Sequence, residues 1–194
     1  MSEKVIPNIK LRLFTGNDPA GFLALKNLLY RDHPSSLENF LHHERTRATK
    51  IHHKHWVWGK DSAILCSVLY TQWEEIYHPH KFVLKIYVHP DQQGRGFGAF
   101  CYDFIIKELK PLDPIKLSMH VHEPDTHSVR FLKKRGFKNT FKERESSLDL
   151  IAYNPKLFQD KLDSVLKQGF RILTFSEFRK EDNKADYKAW ELER

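Results

Sequence analysis

Residues Lys81 to Lys110, KFVLKIYVHPDQQGRGFGAFCYDFIIKELK, constrain this chain more than any other stretch. They read as an apolar strand, a proline-marked loop, a glycine-rich turn and an amphipathic helix. Gly94, Gly96 and Gly98 alternate with Arg95 and Phe97, which places three of the chain's eight glycines within five residues. Successive backbone N–H groups leading from such a turn into a helix N-terminus suit an anion, above all a phosphate. No carboxylate lies between Gln92 and Tyr102 to repel one. A phosphate-bearing ligand is therefore the expectation that organises the rest.

Three kinds of glycine loop compete for this turn. A P-loop needs GxxxxGK followed by Ser or Thr, and the chain has none. Gly94-x-Gly96-x-x-Ala99 formally matches a dinucleotide fingerprint, but His89 to Gln93 separate it from the strand end where that fingerprint starts, and no βαβ unit precedes it. The third reading is Gln93-x-x-Gly96-x-Gly98 after an apolar strand and Val88-His89-Pro90.

That third pattern resembles the coenzyme A pyrophosphate loop of the GNAT acetyltransferase superfamily, Gln or Arg-x-x-Gly-x-Gly or Ala. The family carries a second signature about thirty residues on, Asn-x-x-Ala-x-x-Phe-Tyr, three residues, then Gly-Phe. Here the matching stretch runs from Asp125 through Ser128, Phe131 and Leu132 to Gly136-Phe137, with Phe131, Gly136 and Phe137 at the right spacing. Two signatures in register outweigh either one. The resemblance covers roughly Ile9 to Leu150.

The order of elements agrees with it. Ile9 to Phe14 alternates as a strand that turns Ile9, Leu11 and Leu13 to one face. Asn17-Asp18-Pro19 starts a helix with Phe22, Leu25, Leu28 and Leu29 inward, stopping before Pro34. Ser35 or Ser36 caps a second helix with Leu37, Phe40 and Leu41 inward. Lys54 to Trp58 and Ala63 to Tyr70 form strands around Gly59-Lys60-Asp61; Trp56 and Trp58 share a face, as do Ile64, Cys66, Val68 and Tyr70. Lys81 to Val88 completes an antiparallel meander. The helix after the glycines buries Phe97, Phe100, Cys101, Phe104, Ile105 and Leu109. A strand at Lys116 to Val121, reached by a strand–helix–strand connection, lies parallel to Lys81–Val88. Asp125 or Thr126 caps a helix closed by Gly136. The expected fold class is α/β of the α+β type: a mixed, mostly antiparallel central sheet with two parallel, splayed strands, flanked by helices.

Beyond this point Phe141 to Ile151 is expected as a strand. A helix follows from Asn154-Pro155 to Gly169 with Leu157, Phe158, Leu162, Val165 and Leu166 inward, and then a strand at Phe170 to Phe175. Ser176 caps a charged helical stretch, Glu177 to Arg194. The expected organisation is a domain over residues 1–175 and an extension over 176–194. The tail resembles that of the first half of tandem-repeat GNAT proteins. A second GNAT-like domain or a homodimer is thus an expected partner, with Trp190 and Leu192 a candidate docking edge.

Composition narrows the classes of function. The chain has 194 residues, 40% hydrophobic and 29% charged, with no apolar run that spans a bilayer and no apolar signal region at the N-terminus. Cys66 and Cys101, its two cysteines, both fall in apolar patterns, which points to free thiols in the cytoplasm. A net charge of +7 suits a polyanionic cofactor, an acidic substrate or nucleic acid. The positive residues form no single tract and no nucleic-acid motif is present, so nucleic acid is not expected as a partner, nor a membrane. His52, His53 and His55 cluster, as do His78 and His80, but nothing nearby completes a tetrahedral set, and no metal is expected.

The resemblance implies acetyl-CoA as acyl donor and a small-molecule or protein amine as acceptor. It implies that the backbone of Ile86, Tyr87 and Val88 bonds the pantetheine arm like an added strand. The amides of Gln93, Gly94, Arg95, Gly96, Phe97, Gly98 and Ala99 would hold the pyrophosphate. Arg95 is a candidate phosphate partner, with Arg130 and Lys133 as weaker ones. Catalytic residues are left unassigned: Tyr87, His89, His120 and His122 lie near the right strands, and Lys85 stands where a strand carboxylate base is expected. Asp125 replaces the usual Asn, Ser128 the usual Ala, and Leu132 a Tyr that serves the leaving thiolate. That last departure keeps a non-catalytic acyl-CoA-binding or partner-binding domain open as the alternative.

Overall fold

The computed structural model describes residues 9–60 and 63–193. The chain divides into two compact units, Met1–Phe137 and Lys138–Arg194. In the first, β1 (Arg12–Leu13), β2 (Lys54–Lys60), β3 (Ala63–Thr71), β4 (Lys81–Val88) and β5 (Lys116–Ser118) form one sheet in sequence order. The first four strands run antiparallel, and β5 is parallel to β4. The crossover between them is α3 (Phe97–Leu109). Among the described residues no helix is long and apolar enough to cross a membrane.

Alternation along the strands sends side chains to two cores. On one face Trp56, Cys66, Val68, Tyr70, Phe82 and Leu84 pack with Phe97, Cys101, Ile105 and Leu109 of α3. On the other, Val57, Leu69 and Tyr87 meet Phe22 and Leu25 of α1 (Pro19–Leu29), with Phe40 of α2 (Leu37–Thr46) against them. Both cysteines are fully buried in the first core, and Cys66 Sγ lies 2.9 Å from Cys101 Sγ as a free thiol pair. That contact, then burial, pushes the Cys66 thiol far up.

Sequence alternation misplaces two residues of this unit. Ile64 packs with Phe22 and Leu69, not with Cys66. Trp58 pairs with Cys66 while Gly59 pairs with Ile64, so Leu65 is a bulge residue that turns Ile64 to the other face. Gly59 permits the tight approach: a Cβ there would fall 1.9 Å from the Ala63 carbonyl oxygen. Leu13 is 58% exposed, because β1 is only two residues long and the alternation stops with it. Phe14 instead turns into the second core and stacks on His55 at 4.1 Å. Asp61 of the β2–β3 turn lies outside the described residues.

Helix ends follow their capping residues. Ser36 Oγ accepts the Asn39 N–H at 3.1 Å and starts α2, although Leu37 and Leu41 stay exposed. Asp18, at the head of α1, caps nothing with its side chain. It accepts both guanidinium NH2 groups of Arg12 at 2.7 Å, and the Thr15 N–H and hydroxyl. Asp125 Oδ1 accepts the Ser128 N–H at 3.0 Å and starts α4 (Thr126–Lys133), which ends at Gly136 with φ +81°.

The second unit departs most from its expected pattern. Neither Phe141–Ile151 nor Phe170–Phe175 forms a strand. Lys142 to Ser147 supply six polar residues in a row and hence no apolar face, and Leu150 is 77% exposed. At the second site Thr174 and Glu177 close a capping box, so α6 (Phe175–Glu181) starts two residues before a Ser176 cap would have it. α5 (Gln159–Lys167) forms as expected, but Leu162, Val165 and Leu166 are exposed rather than buried. α7 (Ala185–Leu192) ends the chain's helices, its Tyr187 and Trp190 rings 5.7 Å apart.

Candidate functional site: a forked strand pair and a glycine turn

β4 and β5 pair only at Lys81–Val83 with Lys116–Ser118, after which β4 continues alone through Leu84–Val88. The His89 N–H donates to the Leu65 carbonyl at 2.9 Å, which fixes the alternation along β4. Val83, Lys85 and Tyr87 turn their backbone groups to β3, and Leu84, Ile86 and Val88 turn theirs to the side that β5 has left. The fork thus presents the main chain of Ile86 and Val88 at an open edge. Tyr87, predicted with them, bonds its main chain to β3 and buries its ring between α1 and the sheet. An extended ligand at this edge finds strand-like partners on alternate residues.

From Val88 the chain makes a short 3-10 turn at Pro90–Gln92 and then the glycine turn. Gln93 Nε2 reaches back to the Val88 carbonyl at 3.1 Å and ties the turn to the fork. Gly94 has φ +71° and Gly96 φ +93°, left-handed values that glycine adopts without strain. Gly96 is the N-cap of α3 and offers no side chain, so the amides of Phe97, Gly98 and Ala99 point out of the helix end uncapped. The first turn of α3 holds no acid, and the helix dipole adds positive potential there. Arg95 is exposed, its Nη1 3.5 Å from Gln92 Oε1. Phe97 contributes only its amide, since its ring is buried against Trp58 at 5.1 Å. The Gln93 N–H, predicted with these amides, instead donates to the Pro90 carbonyl at 3.1 Å, so Gly94 to Ala99 and the edge of Ile86 and Val88 form the polar main-chain strip.

α4 borders the strip. Phe131 lies over Gly98, and a Cβ there would meet the ring at 3.4 Å. Arg130 and Lys133 line an open groove on α4 together with Glu123, Thr126, Val129 and Lys134. Leu132 is 8% exposed and apolar.

The remaining polar side chains gather on the sheet face away from α3. Tyr30, at the C-cap of α1, sits 6.1 Å from Tyr87 and 5.5 Å from His122 between ring centroids. Burial raises the pKa of both tyrosines and keeps their hydroxyls protonated. Burial also lowers Lys26 and Lys85. His55 Nε2 lies 2.7 Å from Ser67 Oγ, and burial, then His53, pushes His55 down to about 3. Burial and Arg47 push His53 down to about 4. Of the three histidines named near the site strands, His89, His120 and His122, the last joins this group. His120 packs on Trp73 at 5.3 Å, and His89 accepts the Asp91 N–H. Sequence reasoning missed Tyr30 and Lys26, and their spacing of four from Phe22 along α1 is the signal that would have found them.

The acetyltransferase (GNAT) family profile matches residues 21–137. This chain belongs to the GNAT family. A search of curated proteins finds no match. Among solved structures, a Salmonella typhimurium protein, yncA, determined with its cofactor acetyl-CoA, superposes on this GNAT chain with a TM-score of 0.59 at 17% identity, covering 74% of this chain and 87% of that one. A Trypanosoma brucei acetyltransferase gives 0.51 at 22% identity, covering 74% and 100%. A ribosomal-protein-alanine N-acetyltransferase from Brucella melitensis biovar Abortus 2308 gives 0.56 at 14% identity, covering 72% and 99%. At these identities the likeness establishes the GNAT fold.

Proposed function

We propose that this chain is an N-acetyltransferase that takes acetyl-CoA as acyl donor and transfers the acetyl group to a primary amine by direct attack. The main-chain strip from Ile86 to Ala99 carries the reading, because strand edge, left-handed turn and uncapped helix amides follow one another in the order pantetheine and pyrophosphate require. Ile86 and Val88 would bond the pantetheine amides, and Gly94 to Ala99 would bond the pyrophosphate oxygens, with Gln93 holding the turn through its bond to Pro90. Arg95, exposed and bonded at 3.5 Å to Gln92, would turn to the phosphates, and Arg130 and Lys133, which line the groove on α4, would take the nucleotide phosphate.

In the transfer, the amine lone pair forms the N–C bond and the C–S bond breaks. The electron pair leaves on sulfur and the amine proton goes to a base. Leu132 has no proton to give the sulfur. A thiol pKa near 8.5 makes thiolate a workable leaving group at neutral pH without an acid. A non-catalytic acyl-CoA-binding or partner-binding domain is the second reading, and the buried Leu132 is the observation that favours it.

We assign the acetyltransferase domain to residues 1–175, with 176–194 as an extension. A chain ending at Phe137 that folds and binds as the full chain does would move the boundary there. The buried free thiols support the cytoplasm.

Calorimetric titration with acetyl-CoA tests the reading, comparing the native chain with Gly96→Glu, which sets bulk and negative charge in the turn. Micromolar binding that the variant loses is expected, followed by free thiol release when an amine library is added. A folded native chain that binds no acetyl-CoA would overturn the coenzyme site. Binding without thiol release from any amine would favour the second reading.

A further inference from the structure

α1 lays Phe22, Lys26 and Tyr30 along one stripe at intervals of four residues. The rings on either side of Lys26 both meet Tyr87, Phe22 at 5.4 Å and Tyr30 at 6.1 Å. Lys26 is thereby held against β4. Lys85 leaves β4 on that same face: it pairs across the sheet with Leu69, which packs in the core beneath α1. Both lysines therefore lie on the α1 side of the sheet, near enough for the charge of Lys26 to act on Lys85.

Neither lysine is matched by a carboxylate among the described residues. Lys26 Nζ donates to Ser35 Oγ at 2.6 Å, which leaves two of its three protons to place. Glu44 is engaged by Arg47, and Asp125 by the Ser128 amide at the head of α4. The aromatic and histidine neighbours, Tyr30, Tyr87, His53 and His122, supply no anion. Each lysine is depressed by burial, and Lys85 is depressed further by the charge of Lys26. Lys85 keeps an open solvent side at the mouth of this group while protein crowds its stem.

A second positive charge in the acceptor would be repelled by the two lysines, and a negative one would relieve that repulsion. We infer that the acceptor is an amine that also carries a carboxylate, an amino acid in the simplest case, and that Lys26 and Lys85 hold that carboxylate. The inference rests on the acetyltransferase reading above and adds to it the class of the acceptor. Ammonium groups on flexible stems bind a carboxylate as point charges, and the Ser35 hydroxyl provides a further donor beside them.

The test needs no turnover. Protein saturated with coenzyme A is titrated with the N-acetyl derivatives of glycine, glutamate and phenylalanine and with their primary amides, while the side-chain methylene signals of the lysines are followed by NMR. At least one acid is expected to shift Lys26 and Lys85 saturably and to bind about tenfold or more tightly than its amide, as charge-assisted hydrogen bonds do. Lys85→Gln should erase that preference, and Lys26→Gln is the second variant where the first fails to fold. Coenzyme binding without an acid-dependent shift at these lysines, or equal binding of acids and amides, overturns the inference and leaves the coenzyme site standing. Absent coenzyme binding overturns the reading beneath it.

Discussion

The guanidinium of Arg135 lies 3.6 Å from the ring centroid of Phe131, and its Nη1 donates to the Phe131 carbonyl at 3.3 Å. Tyr102 of α3 stands on the same cation at 5.0 Å and meets Phe131 and Phe137 edge-on. Phe131 in turn lies over Gly98. The second sequence signature therefore fastens α4 to the head of α3, where the proposed pyrophosphate amides are. Arg135→Ala should cost about 1–2 kcal/mol of stability through the lost cation–π contact and packing. Denaturant unfolding measures it, and Arg135→Lys should recover only part because an ammonium cannot stack flat.

Gly96 and Gly98 stand two residues apart and should answer the same substitution in opposite ways. Gly96 has φ +93°, so Gly96→Ala forces an L side chain into the left-handed region at a cost of about 1–2 kcal/mol, and it should weaken acetyl-CoA binding by disturbing the turn. Gly98 lies inside α3, and its added Cβ would meet Phe131 at an ordinary 3.4 Å. Gly98→Ala should thus be neutral to stabilising, by up to about 1 kcal/mol of helix propensity. Thermal melts with calorimetry on both variants read the contrast directly.

The pH dependence of stability should be set by the two buried histidines under α1 and α2. His53 and His55 have folded pKa values pushed down to about 4 and about 3, against about 6.5 in an unfolded chain. Both are neutral in the fold, and the unfolded chain takes up protons first as pH falls. Their contribution is present above pH about 6.5 and is lost progressively down to the folded values, at up to about 1.4 kcal/mol per pH unit for each. Unfolding measured from pH 7.5 to 4.5 should show this slope. His55→Phe, which keeps the stack on Phe14 but leaves Ser67 Oγ unpaired, should halve it even if it lowers stability at pH 7.

What sequence makes legible here is whatever is local. β4 and the glycine turn carry period-two apolar residues, a proline and three glycines in a row of thirty residues, and the fold reproduces their limits from Lys81 through Leu109. Cap residues Ser36 and Asp125 and the stop at Gly136 were equally readable, because each acts within four residues of itself. Ile64 was not, since the bulge at Leu65 is fixed by cross-strand register against Trp58 and Gly59. Nor was the placing of Lys26 on the same side of the sheet as Lys85, which depends on how α1 is seated on β4 by Phe22, Tyr30 and Tyr87. Residues 138–194 misled for a different reason. Leu148 and Leu150 alternate, but a run of charged and hydroxyl side chains before them gives a strand nothing to bury.

Leu132 separates the two functional readings, and replacing it tests them on one protein. It sits in the last turns of α4, next to Phe131, which touches the helix of the proposed pyrophosphate amides. If the chain transfers acetyl groups, the sulfur now leaves without a proton donor at this position, and Leu132→Tyr restores one. General-acid help of this kind is worth roughly 10²-fold or more when well placed. Leu132→Tyr should then raise kcat for thiol release by about tenfold or more, with the affinity for acetyl-CoA unchanged. The gain should be largest for poorly reactive amines, whose transfer waits on C–S cleavage. Leu132 is buried, so the bulkier ring carries a packing cost of about 1–3 kcal/mol, and a melt must accompany the kinetics. A folded variant that binds acetyl-CoA and still releases no thiol would assign the chain to coenzyme binding without transfer.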